Sequence, residues 1–126
     1  MRVSGFTIIR NGVRFAYPFE ESMRSLLPLV DELHVGVGKS EDDTLERVQA
    51  IGSSKIRIFE TEWDLENREG GKVLSEQTNL ALDRCEGDWC FYLQADEVIH
   101  ENDYDIIRDA RERNPSTARE KKHWVD

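Results

Sequence analysis

The chain has 126 residues, a length that suits one domain hiding roughly two-thirds of its unfolded surface. Apolar residues make up 38% and charged residues 34%, so a core can form and wholesale disorder is excluded. The formal charge is −9, and an acidic surface repels phosphate backbones, which argues against non-specific nucleic-acid binding.

Val3 to Ile9 (VSGFTII) is an apolar, β-branched run that predicts a buried strand, ended by Arg10-Asn11-Gly12. Pro18 opens a helical stretch, FEESMRSLLPLV. Glu20 and Glu21 complement its dipole, Met23, Leu26, Leu27 and Val30 form its apolar stripe, and Pro28 ends or kinks it. Leu33 to Val37 predicts a second strand. Ser40-Glu41-Asp42-Asp43-Thr44 then supplies caps and acids for a helix whose apolar face is Leu45, Val48 and Ile51. Lys55 to Phe59 alternates with period two and predicts a third strand. Residues 60–71 read as a polar loop ending in two glycines. Arg68-Glu69-Gly70-Gly71-Lys72 lacks the spacing of a P-loop. Lys72 to Cys85 predicts a helix turning Val73, Leu74, Leu80, Ala81 and Cys85 inward, stopped by Gly87. Trp89 to Leu93 (WCFYL) is the greasiest strand. Residues 102–113 predict a last helix with Ile106, Ile107 and Ala110 inward, stopped by Pro115. The tail 114–126 is basic and without periodicity, so it is expected to fray.

Cys85 and Cys90 lack zinc spacing and a second Cys/His pair, so they read as two small buried hydrophobes of a reducing compartment. There is no apolar run of about 18 residues and no signal-peptide pattern, so no membrane span is expected and the cytoplasm is the default location.

Strict alternation of strands and helices predicts an α/β, Rossmann-like three-layer α/β/α fold with a mostly parallel sheet. Ligands of such sheets sit at the carboxyl ends of the strands. That edge collects Arg10 and Asn11, Gly38 to Ser40, Glu60 to Trp63, and Gln94 to Glu97. Trp63 there suits stacking on a ring or anchoring of a loop. A hydrophobic strand delivers Asp96 and Glu97 to the edge. Side chains alternate along an extended chain, so Asp96 shares a face with Gln94 and not with Glu97. Mg²⁺ needs only one or two carboxylates beside substrate phosphates. The same acids also suit a turn that caps the next helix, and His100 follows close behind.

The stretch SEQTNLALDRCEGDWCFYLQADEVIHE resembles the central block of family 2 glycosyltransferases, whose GT-A strand ends in an Asp-x-Asp-like motif, here Gln94-Ala95-Asp96-Glu97. Gly38-Lys39-Ser40-Glu41-Asp42-Asp43-Thr44 resembles the family's turn after its second strand, and Arg10-Asn11 fits its opening segment. The resemblance spans about residues 3–110. It implies transfer of a sugar from a nucleotide-diphospho-sugar to an acceptor hydroxyl, with Mg²⁺ or Mn²⁺ as cofactor. The donor-binding residues it implies are Thr7, Ile9, Arg10, Asn11, Gly38, Ser40, Lys72, Asn79, Gln94, Ala95 and Asp96, and the metal set is Asp96, Glu97 and His100. The first acid of the motif is replaced by Gln94, and Val37 and Gly38 stand where many members carry Asp for the nucleoside. The family's base and acceptor site lie well beyond this motif. The chain therefore reads as the donor-binding half of a GT-A domain over 1–113, followed by the tail. Two rival readings are a non-catalytic module of the same fold that self-associates, and a flavodoxin-like phospho-acceptor using Asp42, Asp43 and Asp96.

Overall fold

The structure, a computed structural model, describes residues 2–64 and 72–113, apart from the side chains of Arg111 and Arg113. The segment 65–71, with its Arg68-to-Gly71 run, and the tail 114–126 lie outside the described residues.

Four strands form the sheet: β1 Val3–Ile9, β2 Glu32–Gly38, β3 Ile56–Thr61 and β4 Trp89–Tyr92. Four α-helices accompany them: α1 Phe19–Leu26, α2 Thr44–Ala50, α3 Lys72–Asp83 and α4 Tyr104–Arg113. The sheet order is β3-β2-β1-β4 with every pair parallel. The alternation of elements thus forms the expected α/β/α layering. A 3₁₀ turn, Leu27–Leu29, follows α1 because Pro28 cannot continue its hydrogen-bond ladder.

Register assigns each strand face. Val3 and Ile9 of β1 join Leu33, Val35 and Val37 of β2 beneath Met23, Leu26, Leu29 and Val48 from the α1 and α2 layer. Phe6 and Ile8 face the other way and pack with Ala81, Cys85, Cys90 and Tyr92 under α3. Both cysteines are buried among these residues, as expected of two small hydrophobes. Gly36 leaves room on this second face, since a Cβ there would meet the Phe59 ring at 2.7 Å.

Two faces differ from the sequence reading. Leu74 and Leu80 of α3 are exposed, and the buried stripe is Val73, Gln77 and Ala81, with Thr78 beside it. An i,i+4 ridge with small members lets α3 lie close over the aromatic residues of the sheet, and hydropathy alone does not reveal that ridge. On α4, Ile106 is exposed, as is Ala110, while Tyr104 and Ile107 pack on the core. The Tyr104 hydroxyl donates to the Ser25 carbonyl at 2.6 Å, and this bond fixes which face of α4 turns inward.

At the amino end of the sheet, Glu32 is buried and bonded by Arg2, at 2.7 Å, and by His34. Burial pushes its carboxyl up, but the hydrogen bonds and charges of His34 and Arg2 outweigh burial and hold it below its ordinary 4.5. A lowered folded-state pKa stabilises the fold above the unfolded value, and that stability is lost as pH falls through the folded value. Urea titrations from pH 7 to pH 3 are therefore expected to show an acid-labile component below about pH 4.5, the ordinary value. Glu32→Gln should flatten that component, and an unchanged acid limb in the variant would refute the assignment.

A crevice at the switch point of the sheet

The chain winds β1, β2, β3 outward and then returns to place β4 on the other side of β1. Loops leaving β1 and β4 diverge at such a reversal and open a crevice at the carboxyl edge. A cavity of about 460 Å³ lies there. Its floor is Ile8, Ile9 and Tyr92, one wall is Leu74, Ser75 and Thr78 of α3, and the rim is Phe15, Tyr17 and Trp63. Arg10, Gln94, Ala95 and Asp96 also line it.

Trp63 owes its place to a glycine. A Cβ at Gly38 would lie 2.5 Å from the Trp63 indole nitrogen, so the ring occupies the space over the end of β2 that a side chain would fill. The Arg10 guanidinium stands 6.0 Å from the centre of that ring. Arg10 forms no ion pair among the described residues, and its guanidinium carries five N–H donors of a kind that suits an anion.

The segment after β4 is a fixed turn. Glu97 N–H donates to the Gln94 carbonyl at 3.0 Å, Gln94 N–H donates to Glu97 Oε1 at 3.2 Å, and Ser22 Oγ of α1 donates to the Gln94 carbonyl at 3.1 Å. The Glu97 carboxylate is thus turned back on its own backbone, while Asp96 stays exposed at the cavity. His100 Nδ1 accepts the Asn102 N–H at 3.2 Å and caps the short 3₁₀ turn Glu101–Asp103.

Of the residues the sequence nominates, the crevice brings together Ile9, Arg10, Gln94, Ala95 and Asp96. Others have structural placements. Thr7 is buried in β1, outside the cavity lining. Asn11 is buried at φ +52, where its N–H donates to Ser40 Oγ (3.0 Å) and its Oδ1 accepts the Glu41 N–H (2.8 Å). Ser40 in turn donates to the Gly38 carbonyl at 2.8 Å. Asn11 and Ser40 therefore clamp the first two edge loops together. Lys72 and Asn79 are exposed on α3 away from the lining. Gly38 and Ser40 line a second cavity, of about 470 Å³, together with Asp42, Glu60 and Glu62.

The placement of Asp42 overturns the phospho-acceptor reading, because Asp42 and Asp96 line different cavities. Asp42 is also engaged, accepting the Thr44 hydroxyl (2.5 Å), the Thr44 N–H (3.0 Å) and the Arg14 N–H (2.8 Å). Partial burial raises its carboxyl, and these bonds more than offset that, holding it below its ordinary 3.8.

The rim aromatics Phe15 and Tyr17 escape the sequence reading. They fall in the link between β1 and α1, where no periodicity singles them out. Two bulky rings within a turn are themselves the signal that could find them, because burial is the usual destination of such side chains.

A divalent cation fits this crevice in one way. Among the described residues no group of three or more His, Cys, Asp or Glu could hold a metal alone. Asp96 offers a single open carboxylate, which suits a Mg²⁺-like ion completed by water and substrate phosphates rather than a protein-only cage. No described helix is long and apolar enough to cross a membrane.

No family model and no curated protein matches the chain. Solved structures do. The crystal structure of Staphylococcus aureus TarS 1–349 is 21% identical with a TM-score of 0.66, over 90% of this chain and 33% of that one. TarS 1–349 in complex with UDP is 17% identical with a TM-score of 0.66 and the same coverage. The longer TarS structure is 19% identical with a TM-score of 0.65, over 90% of this chain and 20% of that one. The chain thus spans about a third of TarS 1–349. At these identities the likeness is one of fold, a parallel α/β sheet with flanking helices shared with the matched third of that glycosyltransferase structure.

Proposed function

We propose that the crevice binds the diphosphate of a nucleotide-diphospho-sugar, with Asp96 carrying a divalent cation shared with the donor, in the service of glycosyl transfer to an acceptor hydroxyl. The observation that carries this reading is the pairing of Arg10 and Asp96 in one cavity at the switch point. They leave adjacent strands, which stand about 4.8 Å apart, so both can address one diphosphate. Arg10 supplies fixed donors to phosphate oxygens, and Asp96 supplies the anionic anchor for the cation. When bound, the cation would offset the charge that grows on the departing diphosphate. Ser22 and Glu97 hold the Gln94–Glu97 turn, so Asp96 is positioned before any ligand arrives. Support comes from the resemblance of residues 75–101 to family 2 glycosyltransferases and from the fold shared with a protein crystallised with UDP.

The acceptor and the general base belong to parts of a GT-A protein beyond the span matched here. The test is calorimetric titration of UDP into the protein with Mn²⁺ or with EDTA, repeated on Asp96→Asn. Metal-dependent binding that the variant loses supports the donor site. Absence of binding under both conditions would favour a non-catalytic module of the same fold.

A further inference from the structure

We propose that Asn11 is a positioning residue: it fixes the base of Arg10 at the crevice and so sets the part of the diphosphate affinity that needs no metal; this rests on the donor-binding reading above. Asn11 is 1% exposed and belongs to the lining of neither cavity, so it acts through its neighbour and not by touching a ligand.

Arg10 is the first residue beyond β1, and the chain is held on both sides of it. On one side Ile9 pairs with Val37 of β2. On the other, Asn11 turns the backbone at φ +52, a left-handed conformation that asparagine tolerates better than most side chains. That turn is stitched to the segment leaving β2. Asn11 N–H donates to Ser40 Oγ (3.0 Å), Asn11 Oδ1 accepts the Glu41 N–H (2.8 Å), and Ser40 Oγ donates onward to the carbonyl of Gly38, the last residue of β2 (2.8 Å). Gly38 is also the residue over which the Trp63 ring lies, with the Arg10 guanidinium 6.0 Å from the ring centre. One strand end thus bears both the ring beside Arg10 and the anchor of the residue after it. The next residues cannot drift either. A Cβ at Gly12 would lie 2.7 Å from the Phe19 ring, and Arg14 N–H donates to Asp42 Oδ2 at 2.8 Å.

A long side chain rooted at a fixed point has less freedom to lose when it meets an anion, which is how preorganisation raises affinity. Asp96 is held by other means: its turn follows β4 and is tied by Ser22 and Glu97. The two halves of the site therefore have separate supports. Loosening Asn11 should weaken the Arg10 half alone, by one factor whether or not a metal is present.

The test titrates UDP into the 126-residue chain in Mn²⁺ and in EDTA. The variants are Arg10→Ala, Asn11→Gly, the double variant Arg10→Ala/Asn11→Gly, Ser40→Ala and Ser40→Thr. Glycine keeps the left-handed backbone open and removes only the side-chain acceptor. Asn11→Gly and Ser40→Ala should each lose about fivefold in UDP affinity, equally in both media. Ser40→Thr keeps the hydroxyl and should bind within about twofold of wild type. The double variant should bind like Arg10→Ala, because Asn11 acts through a side chain that is gone. Losses that multiply in the double variant overturn the proposal. So does a loss confined to Mn²⁺, or wild-type affinity in Asn11→Gly. The Arg10 Nε–Hε resonance, read by NMR without ligand, separates this proposal from the donor reading. It should be displaced by the Trp63 ring in wild type and move toward the position of free arginine in Asn11→Gly. That movement in proteins that bind no UDP would keep the role of Asn11 and strike the donor reading. UDP binding with an unmoved resonance would do the reverse.

Discussion

Asp96→Asn is expected to erase the gain in UDP affinity that Mn²⁺ confers on the wild type. The carboxylate is exposed and lines the cavity, and no described hydrogen bond or ion pair depends on it, so the fold should be indifferent to the change. Charge-assisted contacts contribute about 1.5–3 kcal/mol each, which corresponds to roughly 10- to 100-fold in affinity. In EDTA the two proteins should bind alike, because Arg10 and the apolar floor are untouched. Glu97→Gln is the informative contrast. Its carboxylate accepts the Gln94 N–H instead of facing the cavity, and a glutamine oxygen can accept the same bond, so the turn should hold and binding should weaken far less than with the Asp96 change.

Gly87→Ala is expected to be strongly destabilising. The segment entering β4 passes close to the start of β1: Gly87 N–H donates to Ser4 Oγ (2.8 Å) and Asp88 N–H to the Arg2 carbonyl (2.7 Å). A Cβ at Gly87 would lie 2.7 Å from Ser4 N and 2.8 Å from the Arg2 carbonyl oxygen. Those atoms are backbone of a paired strand and cannot swing aside. Overpacking against a fixed wall costs about 1–3 kcal/mol or more, and this site belongs at the upper end. Relief requires β4 to move away from β1, which would also shift Gln94 to Asp96. Urea unfolding should therefore show a lower midpoint, and UDP binding should weaken in the protein that remains folded. A midpoint equal to wild type would contradict the packing described.

Much of the fold is legible in the sequence, for physical reasons that differ by residue. The strands announce themselves because β-branched and aromatic runs have few other places to go, and WCFYL points directly at Asp96. Asp96 and Glu97 do part company, but through the turn after β4 and not through strand alternation, since β4 ends at Tyr92 and Glu97 accepts the Gln94 N–H. Contacts between distant segments cannot be read in this way. The clamp of Asn11 on Ser40 joins residues 29 apart and gives both a structural role that their residue types do not announce. His100 and Glu97 look like metal ligands by type, yet each accepts a nearby backbone N–H. Hydropathy misplaces the inward face of α3 because Gln77 sits in the buried stripe while Leu74 and Leu80 do not. Trp63 stands out at the edge by sequence, but only the missing Cβ of Gly38 explains why it lies where it does.

The central claim is that a divalent ion and a nucleoside diphosphate meet at the end of β4. Paramagnetic broadening of amide resonances by Mn²⁺ in the presence of UDP reads this directly. Broadening is expected to centre on Gln94 to Glu97 and to extend to Arg10 across the neighbouring strand. Broadening centred instead on Asp42, Glu60 and Glu62 of the second cavity, or none at all, would contradict it.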